Sequence, residues 1–160
     1  MKKSLIILII LLPFYAFSQI NETFSDGNFT QNPVWTGTTE NFKVNTQFQL
    51  QSQAATTSKS YLSTPSEAFE DAVWEFWVKI AYTTSSSNYA SVYLTSDRAD
   101  VSGDCYGYYV QIGNTNDEIS LYRQEGATKT KIIDGTDKII DVNPVEVRVK
   151  VTRDKSGKFT

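Results

Sequence analysis

The sequence predicts an all-β domain, either an antiparallel sandwich or a barrel. After the first 18 residues, apolar and polar side chains alternate with a period of two over many short segments, which is the pattern of a half-buried strand. Turn residues such as Gly, Pro, Asn, Asp and Ser separate these segments. The only helical candidate is Ser66–Ala72, with Ser66 as an N-cap, and it is at most a turn or two long. Many short half-buried strands are typical of two packed sheets or a closed barrel.

The first 18 residues predict a secretory signal peptide. Lys2 and Lys3 give a charged start, Leu5–Leu12 is an unbroken apolar run, and Ala16-Phe17-Ser18 is a cleavage signal. The apolar run is shorter than the roughly 20 residues that a membrane-spanning helix needs. We therefore expect cleavage after Ser18, export of the protein, and no membrane insertion after cleavage.

Four consecutive strands are predicted in the middle of the chain, at Val73–Ile80, Tyr89–Thr95, Tyr106–Ile112 and Glu118–Gln124. Each of them has an apolar side that we expect to face the core. These sides consist of Trp74, Phe76, Val78 and Ile80; Ala90, Val92 and Leu94; Tyr108, Val110 and Ile112; and Ile119 and Leu121. The opposite sides carry one large aromatic each, and we expect these four aromatics to line a single polar-aromatic sheet surface: Trp77, Tyr93, Tyr109 and Tyr122.

Five further segments are predicted to be strands: Phe42–Asn45, Phe48–Gln51, Ser60–Ser63, Thr128–Ile133 and Val145–Thr152. In the last, four valines alternate with charged residues. A hairpin turn follows at Arg153–Lys158, and Phe159-Thr160 begins a new strand. From this ending we expect the chain to be the front of a longer protein, so that residues 19–160 form one domain that is incomplete at its C-terminus.

Composition argues against two classes of partner. Without the two lysines of the leader, 13 basic residues stand against 18 acidic ones, a net charge of −5. Nucleic acids and anionic membranes favour basic patches, so neither is expected as a partner. The single cysteine, Cys105, cannot form an internal disulfide. We expect it to be a small, partly buried side chain at the start of a strand.

The aromatic surface has two interpretations. In the first, Trp77, Tyr93, Tyr109 and Tyr122 stack against sugar rings while Glu75 and Gln111 bond sugar hydroxyls. In the second, the same aromatics are cross-strand neighbours that stabilise the sheet by roughly 0.2–1 kcal/mol per pair. The sequence leaves both open, because consecutive strands are not always neighbours in a sheet.

No catalytic motif accompanies this surface. A retaining glycanase needs two carboxylates about 5 Å apart, and no predicted strand places an acidic pair on one face. The chain has no histidine, which removes the commonest general base. We therefore expect a protein that is not an enzyme.

One loop, Ser96–Cys105, contains three aspartates: Asp97, Asp100 and Asp104. Carboxylate and hydroxyl oxygens are the ligands that Ca²⁺ prefers. The same residues are ordinary in solvated turns, and their spacing matches no EF-hand loop. Calcium is the one cofactor that the sequence suggests, and a plain loop is the favoured interpretation.

Several stretches along the chain together resemble a known group. They are Phe24–Phe29 with Trp35-Thr36-Gly37, Tyr61–Pro65, Trp74–Lys79, Gly107–Gly113 and Val149–Asp154. They are similar to the concanavalin A-like (laminin-G-like) jelly-roll domain found at the start of secreted Bacteroidetes surface proteins of the lamin-tail-domain type. The resemblance implies a two-sheet antiparallel jelly-roll sandwich with a concave face, in a group that includes lectins, adhesion modules and some glycanases.

The resemblance and the aromatic surface together predict a non-catalytic module, secreted or on the bacterial cell surface, that binds carbohydrate or mediates adhesion. Its expected partner is a polysaccharide or glycoconjugate. Two alternatives remain open: a structural spacer that presents downstream domains, and an accessory domain of a larger secreted hydrolase.

Overall fold

The computed structural model describes residues 20–56 and 59–160. The predicted signal peptide lies outside the described residues, and none of the described helices is long and apolar enough to cross a membrane. The described residues form antiparallel sheets, and the one helical element among them is a 3₁₀ turn at Thr39–Asn41. The strands are β1 Thr36–Gly37, β2 Phe42–Val44, β3 Leu50–Ser52, β4 Leu62–Ser63, β5 Ala72–Ile80, β6 Ala90–Ser96, β7 Cys105–Ile112, β8 Ile119–Gly126, β9 Thr128–Ile133 and β10 Val145–Arg153. The predicted all-β class is confirmed.

Strands β6 to β9 form one antiparallel sheet in sequence order. Val92 on β6 is paired with Val110 on β7, which is paired with Leu121 on β8. Strands β8 and β9 are joined by the two-residue loop Gly126-Ala127, because Glu125 already pairs with Thr128. Gly126 has a φ of +62°, a conformation that glycine adopts without steric cost and that tight hairpins require.

Strand β5 is paired with β10 rather than with β6, its successor in the chain. The two run antiparallel over their whole length, from Ala72 opposite Arg153 to Ile80 opposite Val145. After β10 the chain turns back, and Thr152 and Thr160 exchange backbone hydrogen bonds of 2.8 and 2.9 Å. The hairpin predicted at Arg153–Lys158 is therefore present.

The core lies between the β5–β10 pair and the four-stranded sheet, which gives the fold a sandwich-like form. Each buried aliphatic side chain contributes roughly 1.5–3 kcal/mol to folding. The apolar sides predicted for β5, β6, β8 and β10 all belong to this core. Its members are Ile80, Leu94, Val110, Ile112, Leu121, Ile140, Val145 and Val151, with Trp74, Phe76, Val78, Ala90, Val92, Ile119, Val147, Val149 and Phe159 packed against them.

One local prediction was wrong, and one short strand was missed. Ser66–Ala72 is not helical: residues 66–71 are irregular and Ala72 begins β5. The Ser66 hydroxyl accepts a hydrogen bond from the Ala68 backbone at 3.2 Å, which forms a local turn and not a helix cap. A segment of seven residues forms too few intrahelical hydrogen bonds to offset the cost of helix nucleation. The short strand β1, paired with β4, was not predicted.

Candidate functional site

Three of the four predicted aromatics form a stacked row on the outer face of the four-stranded sheet. Tyr93, Tyr109 and Tyr122 are register neighbours on β6, β7 and β8. The ring centroids of Tyr93 and Tyr109 are 4.9 Å apart, and those of Tyr109 and Tyr122 are 5.3 Å apart. We call these three residues the tyrosine row.

The middle member of the tyrosine row is not accessible to a ligand. Tyr109 is 1% exposed, because it is stacked by a ring on each side and the Lys129 ammonium lies 5.5 Å from its centroid. Burial also raises the pKa of both Tyr93 and Tyr109. For Tyr109, this burial favours the second of the two interpretations, in which the aromatics are cross-strand neighbours that stabilise the sheet. Tyr93 and Tyr122 are half-buried.

A buried glutamine fixes one end of the tyrosine row. Gln124 is 2% exposed. It accepts a hydrogen bond from the Tyr93 hydroxyl at 2.5 Å and donates to the carbonyl oxygens of Gly103 and Gly126 at 3.0 and 2.8 Å. The bond to Gly103 ties the loop between β6 and β7 to the outer face of the sheet. Cys105, at the start of β7, is fully buried and not partly buried as expected.

A buried carboxylate fixes the other end of this face. Glu118 is 1% exposed, and its Oε1 accepts hydrogen bonds from Lys131, Ser120 and Asn114 at 2.5, 2.8 and 2.8 Å. Lys131 also donates to Asp134 at 2.5 Å. These bonds, that from Lys131 above all, lower the pKa of Glu118 to about 2. The outer face of the sheet is thus a packed layer whose polar groups largely bond one another.

Trp77 and Glu75 do not belong to this face. Both lie on β5, whose partner is β10, so Trp77 is opposite Arg148 and Glu75 is opposite Lys150. Alternation places them on the side of the β5–β10 pair that faces away from the core, whereas the tyrosine row lies beyond the core on the other sheet. The expectation of one surface containing Trp77 and the three tyrosines was wrong, because β5 and β6 are consecutive in sequence but belong to different sheets.

Gln111 does lie on the outer face, two residues after Tyr109 and opposite Ser91 and Ser120. Its side-chain amide donates to the Gly113 carbonyl at 3.0 Å. Gln111 therefore stabilises the end of β7.

The three loop aspartates have separate local roles. Asp97 accepts a hydrogen bond from the Tyr106 backbone at 2.7 Å. Asp100 accepts from the Ser102 hydroxyl and backbone at 2.6 and 2.9 Å, and these bonds lower its pKa. Asp104 is exposed. Within residues 20–56 and 59–160, no cluster of three or more acidic, cysteine or histidine side chains is arranged to hold a metal ion.

An open depression of about 380 Å³ lies at the end of the four-stranded sheet. Here the core-facing side of β7 and β8 continues beyond the core, with Tyr108 opposite Arg123 and Tyr106 opposite Glu125. Phe69, from the segment before β5, forms another part of the wall. Tyr106 is 59% exposed and Phe69 is 46% exposed, so both rings are accessible. We call this depression the end groove.

The end groove also contains an ion pair. Arg123 Nη2 lies 3.0 Å from Glu125 Oε2, and both side chains are about half exposed, at 45% and 51%. Asp97 borders the same groove. Guanidinium, carboxylate and phenol groups therefore surround accessible aromatic rings, which is the mixture of apolar and hydrogen-bonding groups that binding sites for small ligands use.

Arg153 at the end of β10 supports the wall of the end groove. Its guanidinium carbon lies 4.0 Å from the Phe69 ring centroid and 5.4 Å from that of Phe159. Its Nη1 donates to the Phe69 carbonyl at 2.8 Å. The Tyr108 ring is 4.7 Å from Phe159, centroid to centroid. Arg153 thus positions Phe69, although 84 residues separate them in the chain.

Sequence reasoning missed the end groove. It placed Tyr106 in a strand but began the core-facing side at Tyr108. The signal was present, because Tyr106 and Glu125 continue the period of two beyond the last apolar position of each strand.

Comparison of the chain with protein-family models, with curated proteins and with solved structures found no match.

Proposed function

We propose that this protein is a non-catalytic carbohydrate-binding or adhesive module of the concanavalin A-like jelly-roll type, exported by its signal peptide to the medium or the bacterial cell surface. The observation that carries the proposal is the end groove, where the exposed ring of Tyr106 lies beside the Arg123–Glu125 ion pair. An aromatic face can stack against the C–H groups of a sugar ring, and the charged pair can bond its hydroxyls.

The size of the end groove fits this ligand class. Ligand pockets in proteins measure roughly 300–1,000 Å³, and the end groove, at about 380 Å³, is at the small end of that range. One or two sugar units of a longer chain would fill it. The groove is open, so the rest of a polysaccharide could continue into solvent.

The charged groups of the groove support binding over catalysis. The Glu125 carboxylate is paired with Arg123, and an Asp97 oxygen is held by the Tyr106 backbone. A glycanase instead needs one carboxylic acid and one free carboxylate on either side of the scissile bond. The chain has no histidine to replace either of them.

A glycan array with the purified chain tests the proposal. We expect retention on at least one glycan, loss of that retention in Tyr106→Ala, and no loss in Tyr82→Ala, which removes a tyrosine of comparable exposure, 45%, outside the groove. Retention on no plant, algal or host glycan would overturn carbohydrate binding and favour the structural spacer. Loss in Trp77→Ala but not in Tyr106→Ala would place the site on the β5–β10 pair instead.

A further inference from the structure

One edge of strand β5 is open. Among residues 20–56 and 59–160, β10 is the only strand that pairs with it. Thr152 on β10 exchanges backbone hydrogen bonds with Thr160, so the N–H and C=O of Thr152 point away from β5. Val73 is opposite Thr152. Because opposite residues of an antiparallel pair exchange either both hydrogen bonds or neither, the backbone groups of Val73 point away from β10.

This orientation repeats at every second residue of β5. Glu75, Trp77 and Lys79 therefore direct their N–H and C=O groups to the open edge, whereas those of Phe76 and Val78 face β10. The side chains of Glu75 and Lys79 are exposed and that of Trp77 is half-buried, all on the side away from the core. A strand added to this edge would bond to the backbone of these three residues.

The order of the charges makes the open edge complementary to itself. If two copies of β5 pair antiparallel about a two-fold axis at Trp77, Glu75 of each copy is opposite Lys79 of the other, and the two indoles are opposite each other. In this register the outward backbone groups of all three residues also meet. A register shifted by two residues places Glu75 or Lys79 opposite Trp77 and loses both ion pairs.

Contacts within the chain leave both charged residues accessible. The Lys79 Nζ lies 3.6 Å from Glu146 Oε2, and both side chains are about half exposed, at 46% and 53%. Such surface pairs contribute little to stability, and an ammonium group has three donors. Glu75 is opposite Lys150 on β10, but no ion pair joins them.

The edges of the other long strands are less suited to a second copy. Antiparallel pairing at the edge of β9 would bring Lys129 and Lys131 of two copies together, where like charges repel. The register of β6 is irregular between Tyr93 and Thr95, which interrupts a ladder of hydrogen bonds. The edge of β10 is already bonded to Thr160 at one end.

We propose that two copies of this chain associate through β5, so that their β5–β10 pairs join into one antiparallel sheet with Trp77 at the two-fold axis. This association is independent of any ligand in the end groove. A single strand pairing is small beside the roughly 1,200–2,000 Å² of a standard interface. We therefore expect a reversible dimer with a dissociation constant in the micromolar range.

Sedimentation velocity of the purified chain, from about 5 to 500 μM, brackets such a dissociation constant. Glu75→Lys or Lys79→Glu places like charges opposite each other at both ion pairs, and each should raise the constant at least about tenfold. The double variant Glu75→Lys/Lys79→Glu restores opposite charges and should dimerise like the wild type. An equimolar mixture of the two single variants should also dimerise, because each supplies the charge that the other lacks.

Two matched controls change charge outside β5. Glu40→Lys and Lys43→Glu make the same charge changes at exposed residues and should leave the dissociation constant unchanged. Unfolding midpoints check that every variant is folded. Amide hydrogen exchange locates the contact: the amides of Glu75, Trp77 and Lys79 should exchange more slowly at high protein concentration, while those of Phe76 and Val78, which face β10, should change little.

A chain that stays monomeric at about 500 μM overturns the proposal, because a micromolar dimer would be nearly complete there. So does a dimer that the single charge reversals do not weaken. A dimer that the double variant fails to restore, or that leaves the exchange of the three amides unchanged, would place the contact on another surface and overturn it equally.

Discussion

Replacing Tyr109 by alanine tests whether the tyrosine row is a packing layer. The side chain is 1% exposed, and loss of a buried aromatic side chain costs about 3–5 kcal/mol. The centroid of its ring lies 4.9 Å from that of Tyr93 and 5.3 Å from that of Tyr122. At such distances an aromatic pair contributes about 0.5–1.5 kcal/mol to stability beyond the effect of burial. We expect Tyr109→Ala to lower the free energy of unfolding by about 4 kcal/mol.

Urea unfolding followed by circular dichroism measures this loss at pH 7. Tyr106→Ala is the matched control on the same strand, because Tyr106 is 59% exposed and exposed substitutions change stability by about 0.5 kcal/mol or less. The m-values should stay equal, so that the change in midpoint reports stability alone. A loss below about 1 kcal/mol in Tyr109→Ala, or equal losses in the two variants, would refute the packing interpretation.

Three further predictions concern stability. The pKa of Glu118 is about 2 in the folded protein and about 4.3 for an unfolded glutamate, so the stability that its ionised form contributes is complete above about pH 5 and lost as the pH falls toward 2. Glu118→Gln should therefore destabilise the protein strongly at pH 7 and hardly at pH 2. A urea midpoint that differs between wild type and variant by the same amount at every pH would contradict this. Gln124→Leu leaves two carbonyl groups and the Tyr93 hydroxyl without their hydrogen-bond partner, so the free energy of unfolding should fall by about 2 kcal/mol. An unchanged thermal midpoint would show that water molecules take over the hydrogen bonds of the Gln124 amide. Gly113→Ala should lower the thermal unfolding midpoint more than Gly27→Ala does. Both glycines have positive φ, but only at Gly113 would the new Cβ collide with a neighbouring side chain, 2.5 Å away. Equal losses of stability in the two variants would mean that backbone strain alone matters.

Local alternation was sufficient to predict most strands. The predicted Thr128–Ile133 coincides with β9, and Val145–Thr152 ends one residue short of β10. This works because a strand that lies on a core must alternate along its own length. The pairing of β5 with β10 was beyond reach, since it depends on contacts between segments that are far apart in sequence and leave no local pattern.

For the candidate site too, the sequence predicted what is local to a strand and not what depends on contacts between distant segments. Alternation placed Tyr93, Tyr109 and Tyr122 on one face correctly, but it carries no information on what covers a face. The burial of Tyr109 results from neighbouring rings and from Lys129 on β9, two strands away in the sheet. The end groove depends on Phe69, which comes from a different part of the chain, and so only its β7 and β8 side could have been inferred from sequence.

The position of β9 at the edge of the four-stranded sheet affects how readily two molecules associate through that edge. A terminal strand offers free backbone groups to which another molecule can add a strand, and natural proteins oppose this with lysines. Lys129 and Lys131 occupy alternate positions of β9, and the latter is held by Glu118 and Asp134. An incoming strand would have to strip water from Lys129 and break that ion pair. The edge therefore resists fibril-like association at high protein concentration.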